Sequence, residues 1–247
     1  MTRIKITFGY DGTEFHGYQV QPNQRTVQAE LDRALSTVFS KQVHSVASGR
    51  TDRGVHAVCQ IAHFDVQTSI PVNRIPEIIN SHLPNDMSVT AAEIVQDDFH
   101  ARYDVKEKTY CYAIDNRKHP RVLHRRFSWH VPQTLNLQAI AKASRYLIGE
   151  HDFTSFCSSK TVIQDKVRTV YDIALDSEDD IIRFYIKGNG FLYNMVRAIV
   201  GSLIEVGRGR KEPETIKVIL EAKDRTQGLI TAPPHGLILW NILYREP

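Results

Sequence analysis

Residues 47 to 57, ASGRTDRGVHA, place the carboxylate of Asp52 between the guanidinium groups of Arg50 and Arg53. Glycines at positions 49 and 54 favour a tight loop that exposes these side chains between two strands. Cationic neighbours keep a carboxylate ionised, which is the form that a nucleophile or a general base requires. The alternative is that an arginine pairs with Asp52 only to fix a turn. The loop by itself leaves both interpretations open.

A second feature is a lone charge on an apolar helix. In MVRAIVGSLI, residues 195–204, Arg197 is the one charged residue, and the apolar side chains of Val196, Val200 and Leu203 surround it. Such a charge needs a partner, or must reach solvent along its aliphatic stem. We expect a carboxylate on a facing loop to satisfy it, and Asp52 is our candidate.

Hydrophobic periodicity predicts the elements that position these residues. RIKITFGY alternates as a strand, and Val27, Leu31, Leu35 and Val38 recur on one face of a helix that has Thr26 as its N-cap. The first half of the chain has the order β-α-β-β-α-β. The second half has nearly the same order with one helix added. It includes a helix over FLYNMVRAIVGSLIEVG and a final strand over GLILWNILYRE, whereas GEHDF is expected to be a loop.

These patterns predict an α+β fold made of two ferredoxin-like (RRM-like) halves, residues 1–105 and 106–247, with the seam near residues 98–106. We expect their antiparallel sheets to join into one extended central sheet. The charge is uneven between the halves, at −3 for the first and +6 for the second. Within the second half, NRKHPRVLHRRF and GRGRK are basic segments that suit phosphate contacts, or that are simply solvated loops.

Several classes of protein are disfavoured. We find neither a secretory leader nor an apolar run of the roughly 18 residues that a membrane span needs, so we expect a cytoplasmic protein without a membrane partner. The chain has an odd number of cysteines, and they lie far apart in the sequence, at Cys59, Cys111 and Cys157. This pattern favours neither disulfides nor a thiolate metal site. His151 and Asp152 lack a third metal ligand nearby. We therefore expect no metal and no cofactor.

Four segments together carry a resemblance to a known family. GRTDRGVHA, residues 49–57, resembles the G-R-T-D-x-G-V-H-A signature of the tRNA pseudouridine synthases of the TruA type, which act in the anticodon stem-loop. YDGTEFHGYQVQ followed by RTVQ resembles that family's N-terminal strand, loop and helix start. EKTYCY resembles its K-x-Y-x-Y strand, and GNGFLYNMVRAIVG resembles its F-x-x-x-M-V-R-x-I-V-G helix. The segments occur in the family's order over most of the chain.

The resemblance implies an isomerase that converts uridine to pseudouridine at tRNA positions 38, 39 and 40. It implies helices on one face of the sheet and an RNA-binding cleft on the other. Asp52 is then the essential carboxylate, acting at C1′, at uracil C6 or as a base at the 2′ position. Tyr110 is then a catalytic and substrate-binding residue that packs on the flipped uracil and assists at C5. Arg197 orients the carboxylate, and Arg50 helps to turn the nucleotide out of the stem. The resemblance further implies a homodimer whose subunits jointly hold one tRNA.

Other interpretations remain open at this stage. The alternative for Tyr110 is that it is a tyrosine of the hydrophobic core, since Tyr112 lies on the same face of the strand. Arg53 occupies a position that is usually small in the signature, so we leave it out of the catalytic set. A non-catalytic RNA-binding module would have the same basic loops, but it would gain nothing from Asp52. An aspartate-dependent hydrolase would need a second carboxylate or a metal site, and we see neither.

Overall fold

The computed structural model of the protein describes residues 1–245. Its strands are β1 (Thr2–Tyr10), β2 (Val46–Ala47), β3 (His56–Val66), β4 (Met87–Val95), β5 (Val105–Asp115), β6 (Trp129–His130), β7 (Gly149–Asp152), β8 (Val167–Glu178), β9 (Ile181–Gly188) and β10 (Leu237–Tyr244). Its α-helices are α1 (Val27–Val38), α2 (Ile75–Asn80), α3 (Leu137–Ser144), α4 (Met195–Gly207) and α5 (Thr215–Ala222). The α+β class is confirmed.

The chain divides into two units. One consists of Met1–Lys106 together with residues 239–245, and the other of Glu107–Ile238. The sequence division at 105/106 assigns all of the final strand to the second half, whereas the structure groups the chain from Leu239 with the first unit. The reason is pairing: β10 lies beside β3, and the Tyr244 hydroxyl donates to the carbonyl oxygen of Ala101 at 2.7 Å.

In the first unit the strand order is β4-β1-β3-β10, with β2 paired to β3. Alternate residues of β1, Ile4, Ile6 and Phe8, are buried, as expected for a strand with one face on a core. Helix α1 begins as predicted, since the Thr26 hydroxyl accepts a hydrogen bond from the Ala29 N–H. The buried residues of α1 complete this core.

In the second unit the order is β5-β9-β8-β7, and the short strand β6 pairs in parallel with β5. The predicted hairpin of β8 and β9 turns at Asp179 and Asp180, whose φ angles of 51° and 58° have the sign that a two-residue type I′ turn requires. None of the described helices is long and apolar enough to cross a membrane.

Two predictions about the second unit are wrong. Residues 149–152 form strand β7 rather than a loop, because they pair with Val167–Val170 of β8, a partner that local sequence does not reveal. Helix α4 begins at Met195 rather than near Phe191, because Asn194 adopts a left-handed conformation with φ 63° and ψ 5°, which helical residues do not have.

Candidate active site

The Asp52 loop, which we define as residues 48–55, connects β2 to β3. Asp52 is half-buried, while Arg50 and Arg53 are exposed. The Val55 N–H donates to the Asp52 carbonyl oxygen at 3.1 Å, and Gly54 has a φ of 76°, so residues 52–55 form a β-turn that depends on glycine at its third position. Asp52 is therefore the first residue of a tight turn, half-accessible at the surface of its unit.

Hydrogen bonds with buried side chains fix the Asp52 loop. Gln60 is fully buried, and its amide nitrogen donates to the Gly49 carbonyl oxygen at 3.1 Å. The Ser48 hydroxyl donates to the amide oxygen of the same glutamine at 2.6 Å. A buried hydrogen bond of 2.8 Å joins the hydroxyls of Tyr10 and Thr51, and burial raises the pKa of Tyr10 to about 12. The backbone around Arg50 and Asp52 is thus held on both sides.

The segment after β1, within the YDGTEFHGYQVQ motif, packs against the same loop. The Tyr18 N–H donates to the Thr51 carbonyl oxygen at 3.1 Å, and the Gly12 N–H donates to Nδ1 of buried His56 at 2.9 Å. A Cβ atom on Gly12 would lie 2.0 Å from the Val55 carbonyl oxygen, so only glycine permits this approach. The motif therefore supports the Asp52 loop by close backbone packing.

In the second unit, Tyr110 and Tyr112 lie two residues apart on β5 but differ in environment. Tyr112 is fully buried, and its hydroxyl donates to the Pro233 carbonyl oxygen at 2.7 Å. Burial raises the pKa of Tyr112, and the positive charge of Arg197 partly offsets that rise. Tyr110 is half-buried, and its ring packs edge-on against that of Phe191, with 5.2 Å between the ring centroids. Tyr112 is therefore the core tyrosine, whereas Tyr110 is only partly buried.

Arg197 is the third residue of α4 and is half-buried. Its Nε donates to the Ala232 carbonyl oxygen at 2.8 Å, and its Nη1 donates to Oδ1 of Asn194 at 2.7 Å. The Ala232 N–H donates in return to the Arg197 carbonyl oxygen at 3.0 Å. A cation in the first helical turn interacts unfavourably with the helix dipole, at a cost of about 0.3–1 kcal/mol. Helix stability therefore does not explain the position of Arg197. Pairing of Arg197 with Asp52 stays a prediction.

Other candidate groups have structural partners or unfavourable chemistry. Among the described residues, no cluster of three or more histidine, cysteine, aspartate or glutamate side chains could hold a metal ion. Asp152 accepts hydrogen bonds from the backbone and the hydroxyl of Thr154. Burial raises the pKa of the Cys59 and Cys157 thiols, and that of Cys111 to about 11, which keeps them protonated and poorly nucleophilic.

The basic segment NRKHPRVLHRRF follows β5 and is partly built into the fold. Arg117 and Arg121 both donate to the Asp179 carbonyl oxygen, at 2.8 and 3.4 Å. Lys118 and Arg125 are exposed, and so is Leu123. The segment therefore combines anchored arginines with exposed cations, which suits contact with a polyanion.

Comparison with known proteins gives concordant results along the chain. A sequence model of the family described as tRNA pseudouridine synthase matches residues 6–104 and 143–245. The residues matched include Asp52 and Arg197. Residues 105–142, which contain Tyr110 and the basic segment, lie outside the match, so the assignment of Tyr110 rests on the K-x-Y-x-Y resemblance.

Curated relatives match over nearly their full length. The chain is 49% identical over 244 residues to the tRNA pseudouridine synthase A of Bacillus subtilis, covering 98% of this chain and 99% of the relative. The proteins of the same name from Anoxybacillus flavithermus and Brevibacillus brevis are 50% and 46% identical, with 99% of this chain covered in both and 99% and 100% of the relatives. Among solved structures, the archaeal box H/ACA sRNP Nop10–Cbf5 complex matches with a TM-score of 0.35 and 12% identity over 81% of this chain and 44% of that chain.

Proposed function

Because this chain belongs to the tRNA pseudouridine synthase family and isomerises uridine in tRNA, we propose that Asp52 is its catalytic carboxylate and that its targets are positions 38, 39 and 40 of the anticodon stem-loop. The observation that carries the proposal is a half-buried Asp52 within the family signature, on a loop fixed by hydrogen bonds to the buried side chains of Gln60 and Tyr10. A fixed carboxylate is what positioned chemistry on a bound nucleotide requires.

The reaction balances without any external reactant. The N1–C1′ bond breaks, the uracil turns, and a C5–C1′ bond forms. C5 then loses its proton and N1 acquires one. No electrons are gained or lost, so the chemistry calls for a nucleophile or base and for control of the loose uracil. An ionised Asp52 supplies the first, at C1′, at C6 or at the 2′ position.

The other residues receive roles that fit their environments. Arg197, whose orientation is fixed by two hydrogen bonds, orients the Asp52 carboxylate and favours its ionised form. Tyr110, half-buried and backed by the Phe191 ring, packs on the flipped uracil. Exposed Arg50, two residues before Asp52, contacts the phosphate backbone and offsets the cost of unstacking, which is a few kcal/mol.

We further propose that two copies of the chain jointly hold one tRNA in the cytoplasm. The charge distribution supports shared binding, since the basic excess of +6 lies in residues 106–247 and the residues around Asp52 belong to the acidic half. Light scattering of the protein with and without tRNA measures the stoichiometry. Two chains per tRNA is the expected result, and one chain per tRNA contradicts the dimer.

The substrate assignment is tested with anticodon stem-loops of full tRNA transcripts. Three transcripts carry a single uridine among these positions, at 38, 39 or 40, and a fourth carries cytidine at all three. Each is incubated with the pure protein without added metal or nucleotide. Carbodiimide labelling with mass mapping locates pseudouridine. We expect product at the three positions and none in the cytidine control. Product elsewhere, or none at all, contradicts the assignment.

A further inference from the structure

Asn194 has an unusual position at the start of α4. It occupies the N-cap in a left-handed conformation, with φ 63° and ψ 5°, which asparagine tolerates better than most residues. An N-cap asparagine ordinarily accepts a hydrogen bond from an N–H of the first helical turn. Within residues 1–245 the Asn194 side chain makes no such cap, and its Oδ1 accepts from Nη1 of Arg197 at 2.7 Å instead.

The arginine is thereby held at two different nitrogens. Nη1 is bound to Asn194, and Nε is bound to the Ala232 carbonyl oxygen at 2.8 Å. The backbone of Ala232 is itself tied to α4 through its N–H and the Arg197 carbonyl oxygen, at 3.0 Å. Because a guanidinium is planar, bonds at two of its nitrogens fix both the position and the tilt of the plane.

Both oxygens that hold Arg197 at these nitrogens are uncharged. A carboxylate at residue 194 would hold the guanidinium at least as firmly, but it would cancel much of the positive charge. An amide oxygen orients the group and leaves its charge to act elsewhere. This arrangement suits an arginine whose charge serves a catalytic anion.

We propose that Asn194 is a positioning residue for the isomerisation: its amide oxygen sets the orientation in which Arg197 meets the catalytic carboxylate. This inference rests on the proposed function of Arg197 and Asp52. The competing explanation is that Asn194 is required only for the left-handed start of the helix. Glycine would serve that purpose equally well, because it adopts this conformation without strain.

Two variants separate these explanations. Asn194→Gly keeps the backbone conformation and removes the oxygen, and Asn194→Asp keeps the oxygen and adds a negative charge. Ser40→Gly is the matched control, because Ser40 is an exposed residue with a φ of 50° at the end of α1. For each we measure the single-turnover rate constant at saturating enzyme, the tRNA dissociation constant and the pH profile of the rate.

For Asn194→Gly we expect a rate constant lower by about tenfold, with tRNA affinity within about twofold of the parent and Ser40→Gly unchanged. For Asn194→Asp we expect a rate within about threefold of the parent at pH 8. Its acid limb should shift to higher pH, because an added negative charge raises the pKa of a neighbouring carboxylate. This shift also tests the inference if the glycine variant is unstable.

An Asn194→Gly enzyme with the parent's rate overturns the inference, and so does an Asn194→Asp enzyme as slow as the glycine variant at every pH. Loss of tRNA affinity in place of rate also overturns it. Asp52→Asn measured in parallel separates the two levels of the account. Turnover by Asp52→Asn at a rate near the parent's refutes the catalytic role proposed for Asp52, whereas a nearly inactive Asp52→Asn beside a normal Asn194→Gly refutes only the role of Asn194.

Discussion

Replacement of Gly12 by alanine tests whether backbone packing holds the Asp52 loop. The added Cβ would lie 2.0 Å from the Val55 carbonyl oxygen and 2.6 Å from its carbon, whereas ordinary contacts begin at 3.4 Å. These atoms belong to the backbone, so no side-chain rotation relieves the overlap. The two segments must separate by more than about 1 Å, which costs about 1–3 kcal/mol for overpacking. The bond from the Gly12 N–H to His56 is lost as well, at about 1–3 kcal/mol.

The expected loss of stability is therefore about 2–6 kcal/mol, or a fall in Tm of roughly 5–25 °C for a protein of this size. Differential scanning calorimetry measures it, and the single-turnover rate is measured at a temperature where the variant is folded. We expect a slower rate, since Val55 closes the turn that carries Asp52. Gly209→Ala is the control, because no described atom lies within 4 Å of its Cβ and its φ of 69° costs only about 1–2 kcal/mol. If Gly12→Ala unfolds at a temperature no lower than Gly209→Ala and keeps the parent's rate, close packing does not hold the loop.

Variants at three further residues test individual contacts. Tyr112→Phe should lower the unfolding free energy by about 0.5–1.5 kcal/mol in urea titrations, because the half-buried Pro233 carbonyl oxygen loses its donor; an unchanged midpoint contradicts this. Burial lowers the pKa of His63 to about 4, so the unfolded state binds the extra proton and stability falls as pH drops from 6.5 towards 4. His63→Asn keeps an acceptor for the Ala101 N–H and should remove roughly 2–3 kcal/mol of that fall. If the unfolding free energy of the variant falls with pH as steeply as that of the parent, His63 is not the group responsible. Tyr110→Phe keeps the ring that packs on the uracil and should bind tRNA normally. Tyr110→Ala should lower the single-turnover rate at least about tenfold more than Tyr110→Phe does, and equal rates would contradict a role for the ring.

Local sequence is sufficient to predict helix α1 and strand β4. The spacing of Val27, Leu31 and Leu35 and the capping hydroxyl of Thr26 predict α1 to within a residue at its start, since helix periodicity and capping are both local properties. Strand β4 matches the predicted segment MSVTAAEIV residue for residue. The short strand β7 escaped prediction, because its pairing with β8 depends on residues about twenty positions away.

The start of α4 shows a different limit. The apolar sequence FLYNMVRAIVG continues a helical pattern, but Asn194 leaves the helical region of backbone space to place its side chain on Arg197. The sequence contains one signal of this, an asparagine before a helix, which is ordinarily understood as a cap. A different local contact, the hydrogen bond from Arg197 three residues along the chain, takes the place of that cap.

For the candidate site, the motifs single out Asp52, Arg50, Tyr110 and Arg197 by their resemblance, and their roles stay predictions. The residues that hold them were not predicted. Gln60 looks like an ordinary polar residue of a strand, and its contact with Gly49 exists only because β3 returns beneath the loop. Such supporting contacts depend on how distant backbone segments approach, which residue types and spacing do not encode.

The most direct test of the central claim compares Asp52→Asn with the parent enzyme. The amide is nearly isosteric with the carboxylate but has no negative charge, so it can act neither as nucleophile nor as base. Pseudouridine formation is measured in single turnover on a tRNA with one uridine at position 39, alongside the tRNA dissociation constant. The account predicts binding within a few-fold of the parent and a rate constant lower by at least about a thousandfold. Pseudouridine formed by Asp52→Asn at a rate near the parent's would contradict it.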